Sequence, residues 1–178
     1  FFYWGEQCLK LGGKLNYVAI FTRPDIAYAL SAVMGHVSMA TKGTYGALLN
    51  ILCYLRDTKD YSIHYGVGID KKLRAYLLQY ARDLRMDPWC DDSDVIWLAD
   101  SSQGGERPAM CHIGFIAGTP YTWKTQRAKW TTLSSMESEY FAQTAAVATL
   151  QAHEPLYAFL GFNVTLPVIS FCDNETVH

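Results

Sequence analysis

The sequence lacks an excess of charge of either sign: across 178 residues the formal net charge is -2. That excludes the overall basic footprint most nucleic-acid-binding domains carry, so any nucleic-acid role has to rest on local groups. A run of about 20 apolar residues, the length a membrane-spanning helix needs, is missing as well, and no membrane partner is expected. The opening Phe1-Phe2-Tyr3-Trp4 gives way to Gly5-Glu6-Gln7 instead of the apolar core of a secretory leader. It reads as a cut through a longer chain. The cysteines Cys8, Cys53, Cys90, Cys111 and Cys172 are odd in number, widely spaced and never paired as C-x-x-C. This argues against a disulfide framework and a zinc site, and reduced, intracellular thiols are expected. Internal repeats and low-complexity tracts are also missing.

What remains is an ordinary globular composition. Half of the residues are hydrophobic, enough for one good core or two small ones, which predicts one to two compact units. Pro24 and Asp25 suit a helix start, since proline tolerates the first helical position and an acid complements the dipole there. Ile26, Leu30, Val33, Met34 and Val37 then recur at helical spacing, as do Tyr45, Leu48, Leu49, Leu52 and Leu55 after the Lys42-Gly43-Thr44 break. Tyr61, Ile63 and Tyr65 alternate with Ser62 and His64, the pattern of a half-buried strand. Residues 1–67 thus predict a small helix-helix-strand segment. Over residues 68–94, a linker or inserted helix, Leu73, Leu77, Tyr80, Ala81 and Leu84 make one helical face, flanked by Lys71, Lys72, Arg74, Arg82 and Arg85. The acidic Asp91-Asp92-Ser93-Asp94 run then marks a boundary.

From residue 95 to 178 the expected elements are strands Val95 to Ala99, Ile113 to Ala117 and Tyr121 to Trp123, helices Ser135 to Leu150 and Glu154 to Leu160, and a strand Val168 to Cys172. Strands followed by a helical crossover into another strand predict an α/β fold, a mixed sheet flanked by helices.

Two of those strands run straight into an aspartate, Asp100 and Asp173. As parallel neighbours they would bring both carboxylates to one carboxyl edge of the sheet; taken singly, each also reads as a turn or cap residue. A third acid comes from the helix opening at Ser134. Ser134-Ser135-Met136-Glu137 fits a capping box, which gives Glu137 a structural role. Glu139, about 200° further round the helix at 3.6 residues per turn, points the other way and is the candidate for the sheet edge. Three clustered carboxylates repel one another unless divalent metal neutralises them. Magnesium suits such a set, and a pair of ions on carboxylates is the arrangement used in phosphodiester cleavage.

Leu15-Asn16-Tyr17, Thr22-Arg23-Pro24-Asp25-Ile26-Ala27-Tyr28-Ala29 and Tyr54-Leu55-Arg56-Asp57-Thr58-Lys59-Asp60-Tyr61 resemble the connection between polymerase and RNase H in copia-type retrotransposon polyproteins. Further stretches keep the family's order. Ala99-Asp100-Ser101 resembles its first catalytic aspartate and Gly118-Thr119-Pro120-Tyr121-Thr122-Trp123 its hairpin. Leu133-Ser134-Ser135-Met136-Glu137-Ser138-Glu139-Tyr140 resembles its helix start, and Phe171-Cys172-Asp173-Asn174 its next catalytic strand. The resemblance covers nearly the whole chain except about residues 68–94. It implies a reverse transcriptase connection segment followed by an RNase H-like domain, truncated at its C-terminus, with Asp100, Glu139 and Asp173 as catalytic residues holding two magnesium ions. The implied substrate is an RNA–DNA hybrid, the implied partner the polymerase domain of the same polyprotein, and the implied setting cytoplasmic, in a virus-like particle, or nuclear. The chain departs from the family in three places. The family usually reads Ser-Asp-Ala-Asp-Trp where this chain has Ala99-Asp100-Ser101-Ser102-Gln103, so the second acid and the tryptophan are replaced. Its serine- and threonine-rich stretch is here Arg107-Pro108-Ala109-Met110-Cys111. The chain stops at His178, before the family's last acid.

Lys124, Arg127 and Lys129 stand among Trp123 and Trp130 just before the helix. Two readings stay open for them, a grip on nucleic-acid phosphates or a solvated hairpin tip anchored by tryptophans. His36, His64, His112 and His153 are isolated and read as structural. Two rivals to a nuclease follow from the same residues. A non-catalytic relic or co-opted module binding nucleic acid or protein is favoured by the replaced acid. An integrase or transposase is disfavoured because its acids come in the order Asp, Asp, Glu, not Asp, Glu, Asp.

Overall fold

The structure, a computed structural model, describes residues 2–65, 69–83, 93–102, 107–164 and 170–171. The chain divides into two compact units, Phe1–Ile63 with Lys124–Arg127, and His64–Trp123 with Ala128–His178. No described helix is long and apolar enough to cross a membrane.

The first unit is built from α1 (Phe2–Phe21), a 3-10 turn (Pro24–Ile26), α2 (Ala27–Met34), a second such turn (Val37–Met39) and α3 (Lys42–Asp57). Cys8, Leu15 and Ala19 of α1 are buried with Ile26, Leu30, Ala40, Leu48 and Ile51, and Trp4, Leu11 and Val18 extend the same stripe. The expected Pro24 start therefore holds, but as a tight 3-10 turn that feeds the α-helix. Helix α1 is an element the sequence reading did not name; Gly12-Gly13 in its middle lowers intrinsic propensity, and burial of one face compensates. The expected strand over residues 61–65 is not formed. Those residues are irregular, and Tyr61, instead of joining a sheet, lies 5.7 Å from the guanidinium of Arg23.

Arg23 is the polar centre of this unit. Its guanidinium donates to both oxygens of Asp25, to the Thr58 carbonyl at 3.0 Å and to Thr58 Oγ1 at 2.6 Å, and sits over the Tyr54 ring. Tyr54 Oη donates to Asp25 Oδ2 at 3.0 Å. The Arg23 partnership holds the Asp25 carboxyl below the usual carboxylate range, and Asp25 raises the Tyr54 phenol in turn. Thr22 to Asp25 and Tyr54 to Tyr61, the first two long stretches that carry the family resemblance, are thus parts of one lock.

The second unit is an α/β sandwich about a four-stranded sheet ordered β3-β2-β1-β4. Strands β1 (Val95–Ser102), β2 (Ala109–Ile116) and β3 (Thr119–Arg127) run antiparallel in succession, and β4 (Ser170–Phe171) returns parallel to β1. Parallel pairing needs a crossover, supplied by α5 (Ser135–Leu160). The arrangement is consistent with the RNase H-like mixed sheet expected from the sequence. Because β1 is central it is covered on both faces, which is why it reads as a continuous apolar run. Val95, Trp97 and Ala99 pack with Ala142, Ala146 and Tyr157 of α5. Ile96 and Leu98 pack with Leu73, Leu77 and Tyr80 of α4 (Ile69–Asp83).

Helix α5 corrects the expectation of two helices, running unbroken through Pro155. Proline forfeits one backbone hydrogen bond there. Tyr157, fully buried two residues later, fixes the segment against the sheet. The helix ends at Gly161, φ 77°, where Gly161 donates to the Ala158 carbonyl and Phe162 to that of Tyr157, a Schellman close.

Candidate active site

A side-chain hydrogen bond joins the C-terminal end of β1 to the first turns of α5. Ser101 Oγ donates to Ser138 Oγ at 2.7 Å, and Ser138 Oγ donates onward to the Ser135 carbonyl at 2.7 Å. Ser138 has no exposed surface. Beside this link stand two of the expected acids, Asp100 before Ser101 and Glu139 after Ser138.

The start of α5 explains which glutamate does what. Ser134 Oγ accepts from the Glu137 amide at 3.1 Å, and Glu137 Oε2 accepts from the Leu133 amide at 2.6 Å. The second bond falls one residue earlier than a capping box places it, but Glu137 is a capping residue as its position suggests. Glu139 turns inward and is 4% exposed. Acids are seldom buried so deeply without interactions inside the protein.

Asp100 is exposed at the strand end, its backbone facing Cys111 of β2, whose Sγ lies 3.6 Å from the Asp100 carbonyl. Side chains alternate along a strand, so with Ser101 turned to α5, Asp100 starts on the strand's other side. A site shared with Glu139 is therefore reached round the end of β1, not across the helix-facing surface. Asp173 lies outside the described residues. Trp97 pairs with Ser170 and Leu98 with Phe171 in parallel register, and in the sequence Asp100 and Asp173 each come three residues after the paired Trp97 and Ser170. Among the described residues no group of three His, Cys, Asp or Glu side chains is placed to hold a metal ion.

Lys124, Arg127 and Lys129 are all exposed. Trp130 stacks edge-on against Phe141 of α5, centroids 5.1 Å apart, while keeping about half of its surface open.

Behind the site, the sheet and α5 share a polar aromatic cluster that no motif announced. Tyr121 Oη bonds to Tyr157 Oη and lies 3.2 Å from His153 Nδ1. Burial first, then this hydrogen bond, raises the Tyr121 phenol well above its ordinary value. His112 is buried beside Thr149 Oγ1, 3.3 Å away, with its ring 5.6 Å from that of Trp97. Both histidines thus have packing roles, as their isolation in the sequence suggests. Sequence reasoning also passed over Ser101 and Ser138; the only available signal was their adjacency to the two acids.

Comparisons with known proteins agree with the resemblance at the level of the polyprotein. The chain is 29% identical over 162 residues, 91% of its length, to a retrovirus-related Pol polyprotein from transposon RE2 of Arabidopsis thaliana. It is 30% identical over 162 residues to that from transposon RE1 of the same plant. It spans about a tenth of the length of each, 10% in both cases. It is also 25% identical over 138 residues to the secreted RxLR effector protein 161 of Plasmopara viticola, covering 84% of that protein. No protein-family model matches the chain, and no solved structure matches it. The homology supports a retroelement polyprotein region.

Proposed function

We propose that this region is a ribonuclease H domain that cuts the RNA strand of an RNA–DNA hybrid beside the polymerase of its polyprotein, within the cell. The observation that carries the reading is the parallel pairing of β1 with β4, next to a helix whose second turn buries Glu139. In this reading Asp100, Glu139 and Asp173 would hold magnesium at the carboxyl edge of the sheet. The donor set fits: carboxylate oxygens are the hard ligands magnesium takes, leaving places for substrate phosphate oxygens. When bound, the metal supplies an activated water and stabilises the departing oxygen.

The chain's own groups do the rest. Glu139, enclosed at the helix start, offers a carboxylate of fixed direction, and Asp100 an accessible one at the strand end. Lys124, Arg127 and Lys129 meet backbone phosphates, supplying locally the attraction that a net charge of -2 cannot supply globally. The test is incubation of the purified chain with labelled hybrid and magnesium. Cleavage that disappears in Asp100→Asn and Glu139→Gln is expected. No cleavage by the parent chain, or cleavage undiminished in Asp100→Asn, sinks the reading.

A second reading, a non-catalytic module binding nucleic acid or protein, is favoured by Ser102 and Gln103, which replace an acid and a tryptophan of the resembled motif. The match to most of a short effector protein, rather than to a tenth of a polyprotein, points the same way. Magnesium calorimetry separates the two, because a module of this kind shows no carboxylate-dependent uptake of metal.

A further inference from the structure

We infer that Ser101 and Ser138 are a positioning pair for the two acids beside them, an inference that rests on the nuclease reading. Near its start the contact of α5 with β1 includes small side chains, Ala142, Ala146 and Ala99, at 0%, 1% and 4% exposure, whereas the large buried Tyr157 belongs to the same core further along the helix. Alanine methyl groups bury well, but they interlock little. Side-chain bonds from Thr149 to His112 and from Tyr157 to Tyr121 orient the helix further along; at its start the Ser101–Ser138 bond adds a directional constraint that methyl contacts lack.

The order of that bond is set by donor arithmetic. Each hydroxyl has one proton; Ser138 gives its proton to the Ser135 carbonyl and so receives that of Ser101. The relay begins on the next-to-last residue of β1 and ends on the backbone of the first turn of α5. One residue's rotation of the helix, about 100°, would carry Ser138 away from Ser101 and swing Glu139 out of its enclosed position. Ser101 thereby fixes the distance and angle between the Asp100 backbone and the Glu139 side chain without touching substrate. Reactive groups misplaced by about an ångström lose on the order of a hundredfold in rate.

The experiment uses the full chain with labelled RNA–DNA hybrid and magnesium, together with manganese binding by calorimetry. Ser101→Ala is expected to lower kcat about tenfold with KM nearly unchanged and to weaken manganese binding by a similar factor. Ser101→Thr, which keeps the hydroxyl on a residue suited to strands, restores both. A role confined to fold stability would lower the melting midpoint and leave kcat and manganese affinity at the parental values. If Asp100→Asn is inactive while Ser101→Ala keeps parental kcat and manganese affinity, the positioning role is wrong and the nuclease reading stands. If the parent chain binds manganese without cleaving, the change in affinity in Ser101→Ala decides. If it does neither, both readings fall.

Discussion

The guanidinium of Arg23 closes the end of helix α3 from thirty-five positions away, donating 3.0 Å to the Thr58 carbonyl. The terminal carbonyls of a helix have no partners within it, and a cation there also meets the negative end of the dipole. Arg23 does this while forked onto Asp25 and lying against the Tyr54 and Tyr61 rings. Lysine retains the charge but presents a point, not a planar fork. Arg23→Lys is therefore expected to destabilise the helical unit by about 1–3 kcal/mol, the worth of one or two charge-assisted hydrogen bonds. Denaturant melts of the full chain measure it; a change below about 0.5 kcal/mol would show that the lock is decoration.

Asp25 gives that lock a pH dependence. Its carboxyl is depressed, chiefly by the hydrogen bond from Arg23 and against the opposing effect of burial. A depressed carboxyl contributes stability that is complete above its unfolded value, about 3.9, and is lost as pH falls through the lower folded value. Stability should thus decline below about pH 4, and Asp25→Asn, already lacking the charge, should show a shallower decline over that interval. With the side chain a third exposed, the contribution is to be read as modest. Thermal melts between pH 2 and 6 test the difference in slope.

Gly118, φ 77°, turns the chain between β2 and β3, and a Cβ placed on it would come 2.3 Å from the Asp70 Cα at the start of α4. The atom met is backbone, which cannot swing away. Gly118→Ala therefore combines a strained backbone with a forced displacement of α4, and a loss of about 2–4 kcal/mol is expected. If the variant melts with the parent chain, the close approach of α4 to this turn is misplaced.

These residues also mark how far the sequence could be read. The sheet was legible because β1 is buried on both faces and Asp100 ends its apolar run; the α5 start was legible because Ser134 and Glu137 obey local capping chemistry. Helix α1 was not, since its glycines speak against a helix and only long-range burial of Cys8, Leu15 and Ala19 speaks for one. Tyr61, Ile63 and Tyr65 alternate like a strand, yet alternation carries no information about a partner strand, and the ring of Tyr61 serves Arg23. The two helices expected over Ser135 to Leu150 and Glu154 to Leu160 are one, since burial of Tyr157 holds the segment around Pro155 against the sheet. At the site, acid identities were visible, whereas the Ser101–Ser138 bond depends on two residues thirty-seven apart.

The replaced acid offers the sharpest trial of the metal reading. Ser102 is two residues beyond Asp100 on β1, hence on the same side of the strand and about 6.6 Å along it at 3.3 Å per residue. A carboxylate at 102 would add a like charge beside Asp100, unfavourable in metal-free solution and favourable once a cation neutralises both. Ser102→Asp is accordingly expected to melt slightly below the parent chain in chelator and above it in millimolar magnesium. A tenfold gain in magnesium affinity corresponds to about 1.4 kcal/mol of added stability at saturating metal, or roughly 3–6 °C for a chain of this size. Hybrid cleavage at limiting magnesium should rise in parallel. Equal magnesium shifts in the two proteins would mean that no cation is held at this end of β1, and Asp100 would then be a strand terminus and nothing more.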